Sequence, residues 1–448
     1  MSRAARFIVI LLIWAVVAGL LAWYVLARNP DYFTQPDSAT FHDAALNMLD
    51  GEGFARFPGQ PETFRTPGTS ILLAGVYAVF GDSALPTIIT QYLLVLMVAL
   101  MAGCMAARMA QKRGYPATRA AFWAGAAVLF SPALMMSCVV LLSEITFTAV
   151  SVAAIWMLSK GLEDSRALLV FFGMLLVTAS AFVRPVALYL PAFLFIGALP
   201  TLFTRRSLWI TCALVLGVAV HVAATYAWSQ RNAQVEGAAT FAKVQEVNLY
   251  EYVAASVEAK AQGRDWEEVR GEYDAALEQV PEGERFSYMR SHSLGVIRAN
   301  PVAAAKVWLR GAVVLAAQPA TAQLATLFGL RESGSGIIYR FVSMPFKEFM
   351  AYAWENERAL LLFMIPGMLW LGLFWLLAFI GILFSLRRAG PTLALLLAQT
   401  VYLVLVSSGP QTLDRFRVPI VPLCAVFLGV AIARLFRGRQ STLQPMPA

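Results

Sequence analysis

Apolar runs of about 18–25 residues recur along the whole chain, each long enough to cross a bilayer core as a helix. Composition agrees: of 448 residues, 59% are hydrophobic and 14% charged, against nearer half and a quarter in a soluble globular chain. The first run, Phe7 to Leu26, follows Arg3 and Arg6 and so has the look of a signal sequence. Its length, and the lack of a small-residue cleavage site before Asn29–Pro30, favour a retained first span.

The net charge of +8 does not point to nucleic acid, because the basic residues sit in short clusters between apolar runs. That is the positive-inside pattern of a membrane protein. Between Arg119 and Lys160 the only charged residue is Glu144, and between Arg166 and Arg205 the only one is Arg184. Each interval of about 40 residues fits two spans joined by a tight turn. The clusters Arg108–Lys112–Arg113–Arg119, Lys160–Arg166, Arg205–Arg206, Arg387–Arg388 and Arg434–Arg437–Arg439 then mark cytoplasmic turns, with both termini cytoplasmic. Glu144, Arg184 and the cluster Asp414–Arg415–Phe416–Arg417 fall at turns on the other face.

The expected fold is therefore all-α and polytopic, with about ten transmembrane helices, or eleven to twelve if the long outer segment also crosses. Three regions follow: a transmembrane module over 1–229 with an outer loop over 29–69, a helical outer or interfacial segment over 230–356, and closing transmembrane helices with a short tail over 357–448. Within the middle region, Asp265-Trp266-Glu267-Glu268 reads as an N-cap with a capping box. Trp266, Val269, Tyr273, Leu277 and Val280 follow at helical spacing. Asn300–Pro301 opens another helix, whose Lys306 and Arg310 suit an interfacial position. The tail from Gly438 is expected to be disordered. The four cysteines form no CxxC motif and are read as small buried hydrophobes.

The first outer loop carries Asp31, Asp37, Asp43, Asp50, Glu52 and Glu62. Ala39 to Leu49 should be helical, with Asp37 or Ser38 as its cap. A carboxylate at a desolvated membrane surface can also take a proton from an attacking hydroxyl or amine, so capping and general-base roles compete for Asp37. His42 and Asp43 lie about 140° and 240° from it around an ideal helix, so neither is a same-face partner. His42, His221 and His292 are too scattered for a zinc site. Arg184, Arg415 and Arg417 each join a span to an outer turn beside prolines, where positive-inside bias disfavours arginine. Several arginines at one interface suit a phosphate or pyrophosphate, bound bidentately, and Arg65 ahead of Pro67–Gly68 could join them. Glu144 has three readings: a helix cap, a partner for an arginine, or a second carboxylate.

The loop sequence Pro36-Asp37-Ser38, with Phe41, Ala44–Ala45 and Gly51-Glu52-Gly53-Phe54, resembles the first periplasmic loop of the GT-C glycosyltransferases. Arg65-Thr66-Pro67-Gly68, Phe80-Gly81-Asp82-Ser83, Leu142-Ser143-Glu144, Arg184–Pro185 and Arg415-Phe416-Arg417-Val418-Pro419 extend the resemblance in matching order. It is most similar to the bacterial protein-mannosyltransferase and aminoarabinose-transferase branch, over most of 1–230 and 357–436. The resemblance implies an inner-membrane enzyme that moves a sugar, with inversion, from a polyprenyl-phosphate donor to an unidentified lipid, glycan or protein acceptor at the periplasmic face. It places Asp37 as the base and the arginines at the lipid phosphate. Many members have a second acid where this chain has Ser38, which makes Asp43 or Glu144 substitutes for the base. Without paired acids, no metal or other cofactor is indicated. A transporter or lipid flippase is the rival from another class, with buried charges expected near mid-membrane on paired broken helices. A lipid-linked oligosaccharide ligase or polymerase is the rival enzyme.

Overall fold

The computed structural model describes residues 3–237, 239–330 and 344–436, and these are helical almost throughout. The amino-terminal part contains α1 (Arg3–Arg28), α2 (Ala39–Leu49), α3 (Gly68–Phe80), α4 (Ala84–Gln111), α5 (Ala117–Leu129), α6 (Pro132–Cys138), α7 (Glu144–Glu163), α8 (Ala167–Val183), α9 (Leu190–Arg205) and α10 (Leu208–Glu236). A minimal hairpin, β1 (Ala55–Phe57) with β2 (Gln60–Pro61), interrupts the first loop. The middle of the chain supplies α11 (Lys243–Val247), α12 (Ala255–Gln262), α13 (Trp266–Glu278), α14 (Arg285–Ala299), α15 (Pro301–Ala317) and α16 (Thr321–Leu327). The chain closes with α17 (Phe346–Asn356), α18 (Arg358–Leu386), α19 (Pro391–Ser407) and α20 (Val421–Leu435).

Among the described residues, six helices are long and apolar enough to cross a membrane, and the bent pair α5–α6 makes a seventh. The protein is a multi-pass membrane protein. The remaining apolar runs form the shorter helices α3, α8, α19 and α20. α20 shows how an apolar helix can be short and still belong to the bundle. Every residue of that helix from Val421 to Ala433 is buried, so protein packing surrounds it where lipid would set its length. By contrast α1 exposes Leu12, Val16 and Leu20, and α18 exposes Leu369, Leu373 and Phe379, as lipid-facing helices do. Pro132 breaks α5 from α6 with a bend of 50°, because proline lacks an N–H and disfavours helix in the residue before it.

The middle region forms the capped helix α13 as expected, with Asp265 accepting from the Glu267 amide at 2.8 Å. Glu268 does not close the capping box; it pairs with Arg264 at 2.9 Å. Val269 and Tyr273 are buried against Tyr250 and Met289, giving this region a small core of its own. Val280 falls just past the helix end. Pro301 does start α15, which packs through Ala303, Ala304 and Val307 on Val257. Cys138 and Cys424 are buried, but Cys104 and Cys212 lie on the outside of the bundle. The tail from Gly438, with Arg437, lies outside the described residues.

Close helix approach depends on small residues, since apolar side chains gain little by leaving lipid for protein. A Cβ on Gly381 of α18 would collide with the Phe427 carbonyl of α20, and one on Gly429 of α20 with the Ala120 carbonyl of α5. Both collisions are with backbone, which cannot swing aside. Gly381→Val is therefore expected to destabilise the detergent-solubilised protein by about 1–3 kcal/mol or more. A lowered thermal unfolding midpoint, set against a surface control such as Gly372→Val, checks this; Gly372 has open space around it.

Candidate active site

Two antiparallel helices of similar length return a chain to the level where it started. α7 and α8, of 20 and 17 residues, are such a hairpin, so Glu144 at the start of α7 and Arg184 just past the end of α8 come out side by side. Glu144 Oε1 lies 2.8 Å from Arg184 Nη1. The turn between α19 and α20 reaches the same level and brings Arg415 Nε to 3.7 Å from the same oxygen. The first loop completes the group: Asp37 Oδ1 accepts from Arg65 Nη2 at 2.7 Å, and Asp37 Oδ2 lies 3.5 Å from Arg415 Nη2. Asp37, Arg65, Arg415, Glu144 and Arg184 are thus one continuous network drawn from four separate stretches of chain.

Local structure explains why each side chain arrives there. Ser38 occupies the position before α2 but does not cap it; its hydroxyl donates to the Leu141 carbonyl at 2.6 Å. Leu141 N in turn donates to the Phe33 carbonyl at 2.9 Å, which fastens the first loop to the stretch leading into Glu144. Asp37 is not a cap either, since its carboxylate is engaged by the two arginines. Arg65 is held by Glu62, whose Oε1 accepts from the Phe64 and Arg65 amides at 2.5 and 3.2 Å. Arg231 near the end of α10 secures this bend by donating to the Glu62 carbonyl at 2.5 Å. The Pro67–Gly68 pair has a packing reason: a Cβ on Gly68 would lie 2.8 Å from the Phe182 carbonyl, two residues before Arg184.

Aromatic rings brace the guanidinium groups. Arg65 lies over Phe41 and Phe64 at 5.3 and 5.1 Å, while Arg184 and Arg415 flank Phe416 at 5.7 and 5.6 Å. Burial lowers the Arg65 pKa, a change that neighbouring Asp37 opposes. Three arginines face Asp37 and Glu144 in this network, and buried Glu62 acts on Arg65 from beside it. The carboxylates differ in access: the Asp37 side chain is 42% exposed and that of Glu144 4%. Glu144 Oε2 is buried with no hydrogen-bond partner among the described residues.

Two cavities meet at this network. One of about 410 Å³ is lined by Asp37, Arg415, Tyr32, Gln35, Gln323 and Asp414. The other, of about 350 Å³, is lined by Arg65, Arg184 and Phe416 together with apolar Phe147, Val186 and Leu403. The charges sit at helix ends, whereas a carrier would hold them along broken helices near mid-membrane. α5–α6 is the single sharply bent pair among the described residues.

Two of the residues proposed from sequence stand apart. Asp43 is half-buried on α2, outside the network. Arg417 is 2% exposed and donates to the Leu315 and Gln318 carbonyls at 2.6 and 2.8 Å, closing the carboxy-terminal end of α15. The reason is geometric: Asp414–Arg417 is a 3-10 turn, and at about 120° per residue Arg415 and Arg417 point in different directions. His42 contacts Tyr77 OH at 3.1 Å and Asp82 at 3.5 Å, a packing role. Gln323 acquires its role through distant Asp414 and Phe416 through distant Arg184, whereas Glu62 acts locally on the Phe64 and Arg65 amides.

Asp414, beside Arg417, is buried; burial raises its pKa, and Gln323 Nε2 donates to its Oδ1 at 2.8 Å. A carboxyl whose folded pKa is raised favours the folded state when protonated, so its contribution is lost as pH rises from the ordinary carboxylate range through the raised value. Asp414→Asn should therefore unfold at a higher temperature than wild type at pH 8, with the gap closing near pH 4. Parallel thermal melts across that range check the sign.

No protein-family model matches the chain, and no curated relative matches it. Among solved structures, ArnT from Cupriavidus metallidurans bound to undecaprenyl phosphate is similar, with 17% identity and a TM-score of 0.40 over 95% of this chain and 78% of that one. The apo form of the same protein gives 15% identity and a TM-score of 0.38 over 97% and 78%. At those values the likeness does not carry a function from one protein to the other.

Proposed function

We propose that the chain is an inverting glycosyltransferase that takes a sugar from a polyprenyl-phosphate donor and transfers it to an acceptor at the outer face of a bacterial inner membrane. The observation that carries this reading is the network of Arg65, Arg184 and Arg415 around Asp37 and Glu144, placed where two cavities meet. The cavity lined by Arg65 and Arg184, whose walls mix Phe147, Val186 and Leu403 with Ser143, Gln245 and Asn248, suits a lipid-linked sugar phosphate, whose charge guanidinium groups can hold bidentately. The cavity reached by Asp37 has uncharged hydrogen-bonding groups from Tyr32, Gln35 and Gln323, suited to a hydroxyl- or amine-bearing acceptor. The ordered sequence motifs resembling GT-C enzymes support the same assignment.

In this reading the acceptor oxygen or nitrogen attacks the anomeric carbon from the Asp37 side. The new bond forms as the bond from that carbon to the phosphate oxygen breaks, with its electron pair leaving on the phosphate. Asp37 takes the acceptor proton, and Arg65, Arg184 and Arg415 stabilise the charge growing on the departing phosphate. Glu144 positions Arg184 and Arg415 from the buried side. Asp37 is held by two guanidinium groups, Arg65 at 2.7 Å and Arg415 at 3.5 Å.

Asp37→Asn is expected to lower transfer from polyprenyl-phosphate sugar by about 10²–10⁴-fold, the usual range for a general base, while donor binding persists. The assay uses purified full-length protein and the lipid-linked sugar that accumulates in membranes lacking it. Wild-type turnover in this variant would remove Asp37 from the base position.

A further inference from the structure

At the end of the bundle opposite the network, three pieces of chain enclose a cavity of about 430 Å³ lined by Arg113, Tyr115, Phe384, Arg387, Arg388 and Arg434. They are the turn after α4, the end of α18 with its turn, and the last turn of α20. Three of these arginines are organised from within the protein. Arg113 donates to the Met109, Ser385 and Arg388 carbonyls at 2.7, 2.8 and 2.7 Å. Arg388 donates across the cavity mouth to the Lys112 carbonyl at 2.9 Å. Arg434 donates to Tyr115 OH at 2.5 Å and lies 4.0 Å over the Phe384 ring.

Glu163 acts on Arg113 from beyond ion-pair distance. None of the four arginines forms an ion pair among the described residues, and the nearby acids Glu163 and Asp164 are taken by Lys112 at 2.8 Å and Arg108 at 2.6 Å. Arginines that merely reach out to headgroups would spread into solvent; these converge on one space. We propose that this cavity is a binding site for the phosphate headgroup of an anionic phospholipid. The shared chemistry is a phosphate monoanion, and the apolar surround selects lipid over a free ion. Leu383 and Leu386 on α18, with Leu435 and Phe436 at the end of α20, are exposed beside the arginines, where acyl chains would lie. The positive-inside pattern puts this end in the cytoplasmic leaflet, where basic pockets between helices take anionic headgroups. Such a lipid would tie the ends of α4, α18 and α20 together.

The test is native mass spectrometry of the detergent-solubilised full-length protein with dioleoyl-phosphatidylglycerol, dioleoyl-phosphatidylcholine or inorganic phosphate. Wild type should retain phosphatidylglycerol in clear preference to phosphatidylcholine, although the acyl chains are the same. Arg387→Gln with Arg388→Gln should weaken phosphatidylglycerol retention by about five-fold per arginine and leave phosphatidylcholine unchanged. Equal retention of the two lipids by wild type, which needs no variant, would overturn the proposal. So would undiminished phosphatidylglycerol binding in the double variant, or its complete displacement by equimolar inorganic phosphate, which would mark a free-anion site.

Discussion

A carboxylate shut away from water at the end of a transmembrane helix needs cations around it, and Glu144 obtains them from two distant parts of the chain. Arg184 comes from the neighbouring helix and Arg415 from the turn before α20. Removing one partner of such a buried pair typically costs about 3–5 kcal/mol, because the other charge is left uncompensated. The turn positions of α7–α8 and α19–α20 are therefore coupled through one side chain. The first loop joins the same arrangement through Arg415, which reaches on to Asp37, and Asp37 in turn orients Arg65.

The second requirement is close packing beneath this network. α20 runs through the interior with backbone contacts made at Gly381 and Gly429, and its preceding turn holds Phe416 between two guanidinium groups. Arg417, one step further, is spent on the end of α15. A single turn thus does two jobs: Arg415 contributes charge to the network, and Arg417 satisfies carbonyls that would otherwise be buried without partners.

Much of the candidate site was legible before any coordinates. Lone charges in apolar intervals of about 40 residues have to emerge at one membrane face, so Glu144 and Arg184 could be paired from hairpin arithmetic alone. Asp37 and Arg65 stood out as polar chemistry in the same outer loop. What misled was treating near neighbours as equivalent. Arg415 and Arg417 differ because a 3-10 turn rotates them apart, and Ser38 looked like a helix cap but bonds to Leu141 across 103 residues. Glu62 looked like one acid of a charged loop, yet it is buried and shapes the backbone at Arg65.

Sequence by itself determined the all-helical, multi-pass character, the gathering of lone charges at one end, the start of α2 at Ala39 and of α15 at Pro301, and the basic clusters at the other end. These follow from local hydrophobicity, charge and proline or cap chemistry, which act over at most two adjacent helices. Tertiary structure alone decided that α20 is enclosed by protein, that Arg417 turns inward, that two cavities meet at Asp37 and Arg415, and that four arginines converge on one space at the opposite end. Those outcomes depend on how distant helices pack and on which buried polar groups find partners, and no local pattern encodes that.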